Sequence, residues 1–367
     1  EWIATCGADG QLRVTSTTKK DVYLTLNNLE GINVGAYKAK LGHLQWLQDG
    51  RTLVGTVPAS NHICLFRMRK KKDAASANDK FPYELVELVK RRFSIEKKVA
   101  SCGGDLTSFL VDPTHTAYLL LLTGNDDISM GPNTIVWDGT KGEASSTTTI
   151  PISKNDRLRL SPDGRFLCAR KSTSSSSKQV KLFEVVKKKA KGHVEPVFDH
   201  VSTKSVMTLV TNYTVADVCF PASSSADTNI AIVCGLDGIL TIWDIHVEYK
   251  LREDPKLVST NTELKDKKAG QIVMVDISPT MTDNNNVTCC CRLAIVTANW
   301  MLHIFHLLKK DDDAKLSLKW SHSFDVSYQE QIGDLQFCPT TGNVVYTRGR
   351  RTKDVIAWNV EEGETKK

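Results

Sequence analysis

Three adjacent thiols, Cys289, Cys290 and Cys291, form the densest group of soft metal ligands in the chain, and Asp126 with Asp127 forms its plainest pair of carboxylates. A structural zinc needs CxxC or Cys/His spacing, so that four ligands converge tetrahedrally. That spacing is absent, so neither a metal nor any other cofactor is expected, and the triplet reads as a loop with buried thiols. Two neighbouring acids do chemistry only where geometry brings them to a substrate. No HExxH, GxSxG, P-loop or GxGxxG pattern accompanies them, and no catalytic residue is assigned. The ten cysteines lie in apolar runs (Cys168, Cys219, Cys234) or in the triplet, without the regular spacing of a disulfide framework. They point to reduced thiols in contact with cytosol.

The other chemistry on offer is that of cations. Lys70, Lys71 and Lys72 follow Arg69; Lys187, Lys188 and Lys189 form a second run; Arg348, Arg350 and Arg351 form a third. A guanidinium fork matches a carboxylate or phosphate, and lysine runs attract RNA or anionic lipid with an affinity that falls steeply with salt. These nine residues are the candidate partner-binding positions. The plain alternative is a set of solvated loops that keep the protein soluble. A formal net charge of +6 over 367 residues permits polyanion binding without predicting it.

Seven short strands present these residues. QLRVTS (11–16), HICLFRM (62–68), TIVWDG (134–139), QVKLFEV (179–185), ILTIWDI (239–245), MLHIFHL (301–307) and VIAWNV (355–360) each alternate apolar residues, most of them up to an aromatic. Thr15, Phe66, Trp137, Phe183, Trp243, Phe305 and Trp358 are equivalent, at steps of roughly 46 to 71 residues, at or above the usual propeller period. Strand-turn-strand units precede most of them, as in HLQWLQDGRTLVGTV (43–57), LRLSPDGRFLCAR (158–170) and GDLQFCPTTGNVVYT (333–347). Asp-Gly and Pro-containing turns between apolar runs predict hairpins.

These repeats resemble the WD40 family, whose blades have four strands, a to d. Trp137-Asp138 and Trp243-Asp244 match the dipeptide that ends strand c, and Gly42-His43 and Gly192-His193 resemble the Gly-His pair. The resemblance implies an all-β, seven-bladed propeller over residues 1–360, followed by a polar tail at 361–367. Its aromatics pack between blades, and the His/Asp network of the family survives in part. On that blade pattern the lysine runs follow strand c and share one face with Lys309, Lys310 and the acids Asp311, Asp312 and Asp313. Arg348, Arg350 and Arg351 fall in a b-to-c turn on the other face.

Residues 1–16 supply strands b and c of a blade, Val22–Leu26 its strand d, and the final blade lacks strand d. The ring as given therefore lacks an N-terminal closing segment, expected about 20 residues long or more. Ser/Thr-rich inserts at 145–149, 172–177 and 222–227 read as loops.

Within the family, WIATCGADGQLRV (2–14), FRMRKKKDA (66–74), QVKLFEVVKKKAKG (179–192) and above all DGILTIWDIHVEYKLREDPKLV (237–258) resemble a branch anchored to the endoplasmic reticulum by an N-terminal helix. That resemblance implies a non-catalytic scaffold on the cytosolic face, bound to other proteins including a stress kinase, and active in stress signalling and translation control. An RNA- or ribosome-binding propeller acting through the basic loops is the alternative. The longest strongly apolar run, Tyr118–Leu122, is far shorter than a membrane span. Were the domain lumenal, Asn212-Tyr213-Thr214 and Asn286-Val287-Thr288 would be glycan acceptors.

Overall fold

Alternating apolar residues between turn-forming residues dictate antiparallel strands, and the computed structural model of the chain is built from them almost entirely. The structure describes residues 2–6, 11–16, 23–26, 41–47, 50–57, 61–71, 83–88, 93–94, 105–113, 118–124, 134–139, 141, 143–151, 157–170, 177–189, 196–221, 229–246, 253–279, 288–309, 316–327, 332–339, 341–349, 354–361 and 365–366. Among these, the strands form seven antiparallel sheets, in which neighbours in sequence are neighbours in space, β8 excepted.

The first sheet holds β1 (Trp2–Cys6), β2 (Leu12–Ser16) and β3 (Tyr23–Leu26). The second holds β4 (Leu44–Trp46), β5 (Thr52–Val57), β6 (His62–Lys70) and β7 (Tyr83–Glu87), with β8 (Phe93–Ser94) paired to the start of β6. The third runs through β9 (Asp105–Val111), β10 (Tyr118–Gly124), β11 (Thr134–Asp138) and β12 (Glu143–Thr148). The fourth runs through β13 (Arg157–Leu160), β14 (Phe166–Arg170), β15 (Gln179–Lys188) and β16 (Val197–Val210). The fifth comprises β17 (Val215–Cys219), β18 (Ile230–Gly235), β19 (Leu240–Asp244) and β20 (Lys256–Asn261), after which comes the short helix α1 (Glu263–Asp266). The sixth is β21 (Ile272–Ile277), β22 (Thr288–Thr297), β23 (Met301–Lys309) and β24 (Leu316–Asp325). The last is β25 (Ile332–Phe337), β26 (Val344–Gly349), β27 (Val355–Asn359) and β28 (Thr365–Lys366).

Six sheets therefore have four strands or more and the first has three, where a seven-bladed ring was expected whose first and last blades each lack a strand. The polar tail was expected to leave the last sheet without strand d. Instead Thr365 and Lys366 pair with Trp358 and Ala357 and supply a short one. Two further expectations are corrected. The serine- and threonine-rich stretch at 145–149 is mostly the edge strand β12, because threonine suits an extended backbone. Its hydroxyl groups also find acceptors, as Ser145 donates to the carbonyl of Val136 at 3.3 Å. The cysteine triplet lies in β22, where the register shifts between Cys289 and Cys291 and leaves Cys290 in a bulge.

Contacts divide the chain into two compact units, residues 1–155 with 185–204 and residues 156–184 with 205–367. In the first unit, Leu47, Val54, Ile63, Phe109, Leu119, Leu121 and Trp137 belong to one apolar cluster. In the second, strand residues of neighbouring sheets interdigitate, among them Ile232, Leu240, Ile242, Leu293, Ile295 and Phe305. Burying each such side chain is worth roughly 1.5–3 kcal/mol, and the cores form because the apolar face of one sheet covers that of the next.

Candidate interaction surface

Of the seven positions aligned by sequence, Phe66, Trp137, Phe183, Trp243, Phe305 and Trp358 fall on the third strand of their sheets, and Thr15 on β2, the middle strand of the three-stranded sheet. Five of the aromatics are fully or almost fully buried. The indole N–H of Trp358 donates to Thr347 Oγ1 at 2.8 Å and that of Trp243 to Thr241 Oγ1 at 2.9 Å, so these rings bury area without stranding a donor. The acid or amide after the ring caps the turn that follows. Asp244 Oδ1 accepts the His246 N–H at 2.8 Å, Asn359 Oδ1 that of Glu361 at 3.1 Å, and Asp138 Oδ1 that of Lys141 at 3.3 Å. Trp-Asp is here a packing residue followed by a turn cap.

The Gly-His pair behaves differently. His43 is tied to Thr56 through its backbone, at 2.9 Å to Oγ1, and its ring meets Phe109 edge-on at 4.9 Å. Gly192 and His193 lie outside the described residues.

The basic runs begin inside strands rather than after them. Lys70 is the last residue of β6, opposite Tyr83, and Arg69 before it binds Glu84 at 2.7 Å. Lys71 is partly buried, and Lys72 lies outside the described residues. Lys187 and Lys188 close β15 and both are engaged. Lys187 Nζ stands 3.5 Å from Oδ1 of the fully buried Asp112 and 5.6 Å above the Phe198 ring. Lys188 binds Asp199 Oδ1 at 2.5 Å, and His200 Nδ1 holds the other oxygen at 2.9 Å. Hydrogen bonds from Lys188 and His200 hold the Asp199 carboxyl below its ordinary range. Lys189 is exposed. Arg348 lies within β26, exposed and paired with Asp334 across the ladder, not in the turn; Arg350 and Arg351 lie outside the described residues. So do Lys310, the acids 311–313 and the pair Asp126 and Asp127.

Three acids in or beside apolar strands had no place in the sequence reading, Asp112 and Asp217 buried and Asp276 half-buried. Asp112 follows PheLeuVal, Asp217 sits in ValAlaAspVal and Asp276 in ValMetValAsp. A carboxylate inside such a run demands a partner, and that demand was the available signal. Arg159 on β13 answers for the second unit: its Nη2 stands 3.6 Å from Asp217 Oδ2 and donates to the carbonyl of Val275 at 3.0 Å. Among the described residues, no group of three potential ligands could hold a metal ion, and the Cys219 thiol is pushed well up by burial, the opposite of a reactive thiolate. A shallow depression of about 240 Å³ lies between Leu236, Asp237, Lys265, Lys268 and Gln271, with Lys265 held by Asp237 at 3.3 Å.

No protein-family model matches the chain. It is 24% identical over 260 residues to Transducin beta-like protein 2 of Homo sapiens, a match covering 71% of this chain and 49% of that protein. The chain thus spans about half the length of the curated relative it matches. A functionally unknown protein from Desulfotomaculum acetoxidans DSM 771 superposes with a TM-score of 0.59 at 12% identity, over 98% of this chain and 92% of the other. The β-propeller domain of Cps50 (Swd1) from Myceliophteria thermophila superposes with a TM-score of 0.54 at 10% identity, over 98% and 93%. Identities this low speak for the fold alone. The chain is all-β with the fold of a β-propeller, and it resembles the WD40 proteins as a divergent relative similar to Transducin beta-like protein 2.

Proposed function

We propose that this chain is a non-catalytic protein-binding scaffold that works at the cytosolic face of the endoplasmic reticulum in stress signalling and translation control. The placement rests on the likeness to Transducin beta-like protein 2. The seven sheets are read as seven blades. Among the described residues no helix is long and apolar enough to cross a membrane.

The observation that favours a protein partner over RNA is the engagement of Lys187 and Lys188 with Asp112 and Asp199. Cations already neutralised by carboxylates release few counterions on meeting a polyanion. Proximity labelling with the full-length protein should recover membrane and translation components of the endoplasmic reticulum. Recovery of neither would sink the placement. RNA titrations should show weak binding that the triple change K187E/K188E/K189E leaves within about twofold; a steep salt dependence abolished by that change would favour the RNA reading instead.

A further inference from the structure

The shallow depression of about 240 Å³ in the second unit is bounded by the β18–β19 turn, by α1 and by the chain that leads from α1 into β21. Leu264 and Ala269 line it and are buried, whereas Asp237, Lys265, Lys268 and Gln271 line it and are exposed. Asp237 Oδ2 is taken by Lys265 at 3.3 Å, and Lys267 Nζ lies 3.4 Å from the centre of the Trp320 ring. Lys268 is therefore the uncommitted cation of the depression among the described residues, and Gln271 adds a side-chain amide. Lys268 is also an unfavourable residue for its position. Its N–H donates to the Lys265 carbonyl at 3.0 Å, and the Ala269 N–H to that of Leu264 at 2.9 Å. A helix that ends this way holds the residue after its last turn in the left-handed region, at φ +51° here, where glycine is the ordinary occupant. Glycine does take two such positions close by, Gly238 at φ +86° and Gly270 at φ +89°. A lysine kept where glycine fits better marks its ammonium group as the part that matters.

We propose that this depression is a docking subsite for an acidic side chain carried on an extended segment of a partner protein, a proposal that rests on the scaffold reading and gives its partner a chemistry. The carboxylate accepts from Lys268 Nζ and from the Gln271 amide, a charge-assisted pairing. An apolar neighbour in the segment covers Leu236, Leu264 and Ala269. Asp237 and Lys265 cancel each other, so the rim tolerates one incoming negative charge better than the charge of about two on a phosphate. The volume agrees, since small-molecule pockets start at about 300 Å³ and this depression, at about 240 Å³, suits single side chains of a larger partner.

The test labels the chain with 15N-glycine, so that Gly270 reports from the lining and Gly238 from beside Leu264. An acetylated, amidated leucine-glutamate-leucine tripeptide is titrated by NMR, with the leucine-glutamine-leucine peptide and acetate as controls. The glutamate peptide should shift both resonances saturably, and Lys268→Gln should weaken it about fivefold, the worth of one solvated hydrogen bond. Lys268→Gly should weaken it as much while leaving the melting temperature equal or higher, because glycine relieves the left-handed backbone. Shifts that the glutamine peptide or acetate reproduces, affinity indifferent to Lys268→Gln, or a Lys268→Gly chain that melts well below the parent would overturn the subsite. Self-association of the chain that Lys268→Gln abolishes would overturn it too, by giving the depression to a second copy. None of these failures touches the scaffold reading, which proximity labelling of the full-length protein tests without this peptide.

Discussion

Arg292 on β22 is buried to 8% exposure and gathers two sheets of the second unit. Its Nη1 donates to Asn343 Oδ1 at 2.5 Å and to the Gly342 carbonyl at 3.2 Å, both in the turn between β25 and β26. Its Nη2 reaches Glu361 Oε1 at 3.5 Å, but that carboxylate is 49% exposed. Two charge-assisted bonds in a buried setting are worth about 1.5–3 kcal/mol each, whereas a half-exposed pair contributes about 0–1 kcal/mol. Against them stands Nε, which is buried without a hydrogen-bond partner among the described residues, at a cost of about 1–3 kcal/mol. Arg292→Met removes the bonds and that cost together while keeping the stem packed, so it should destabilise by about 2 kcal/mol. Arg292→Ala adds a cavity and should lose about 3–5 kcal/mol. Urea unfolding at pH 7 measures both, and the distribution is tested by partners. Glu361→Gln should stay within about 0.5 kcal/mol, and a double-mutant cycle of Arg292→Met with Asn343→Ala should show coupling of about 1 kcal/mol or more. An Arg292→Met protein as stable as the parent, or a Glu361→Gln loss larger than that of Arg292→Met, would refute the assignment of the energy to the buried turn.

His303 is buried with Ser323 Oγ at 2.7 Å from Nδ1 and Thr297 Oγ1 at 3.3 Å from Nε2, and burial, aided by Lys267, pulls its pKa down to about 4. A histidine lowered in the folded state stabilises above its ordinary 6.5 and loses that contribution as pH falls from 6.5 towards 4, by at most about 3 kcal/mol. The melting temperature of His303→Gln should therefore fall less on acidification than that of the parent. Gly238 has φ +86°, and a Cβ there would meet the backbone nitrogen of Lys265 at 2.9 Å; Gly238→Ala should cost about 2–3 kcal/mol in chemical unfolding, against about 1 kcal/mol for Gly50→Ala, whose φ is +60° with open space around it. Asn212, exposed in the turn between β16 and β17, opens the Asn-Tyr-Thr triplet, and in cells a cytosolic domain should show no endoglycosidase-sensitive mass there, so a shift lost in Asn212→Gln would place the domain in the lumen.

Periodicity in sequence reports what a strand does with its own two faces, and the aligned aromatics were legible for that reason: each closes an alternating run and each lies on the equivalent strand. Composition misled where it stood in for periodicity. Ser145–Thr148 look like linker but alternate between exposed and half-buried along β12, and Cys289–Cys291 look like a ligand group but sit in a ladder with one residue bulged. The lysines misled for a related reason, because their long stems let Lys70, Lys187 and Lys188 extend strands whose apolar signal had already stopped. What periodicity cannot carry is the partner of a buried charge. Asp112 and Lys187 lie far apart in sequence, as do Arg159 and Asp217, and only the stacking of one sheet on the next brings them together. The burial of those acids could still be read from the apolar residues before each, and burial obliges a cation or donor to be present. In a repeat fold the cation must come from a neighbouring sheet, since the acid's own strand is apolar. The charges that sequence alone presents as surface are therefore the first place to seek it, and Lys187, half-buried over Phe198, is such a case.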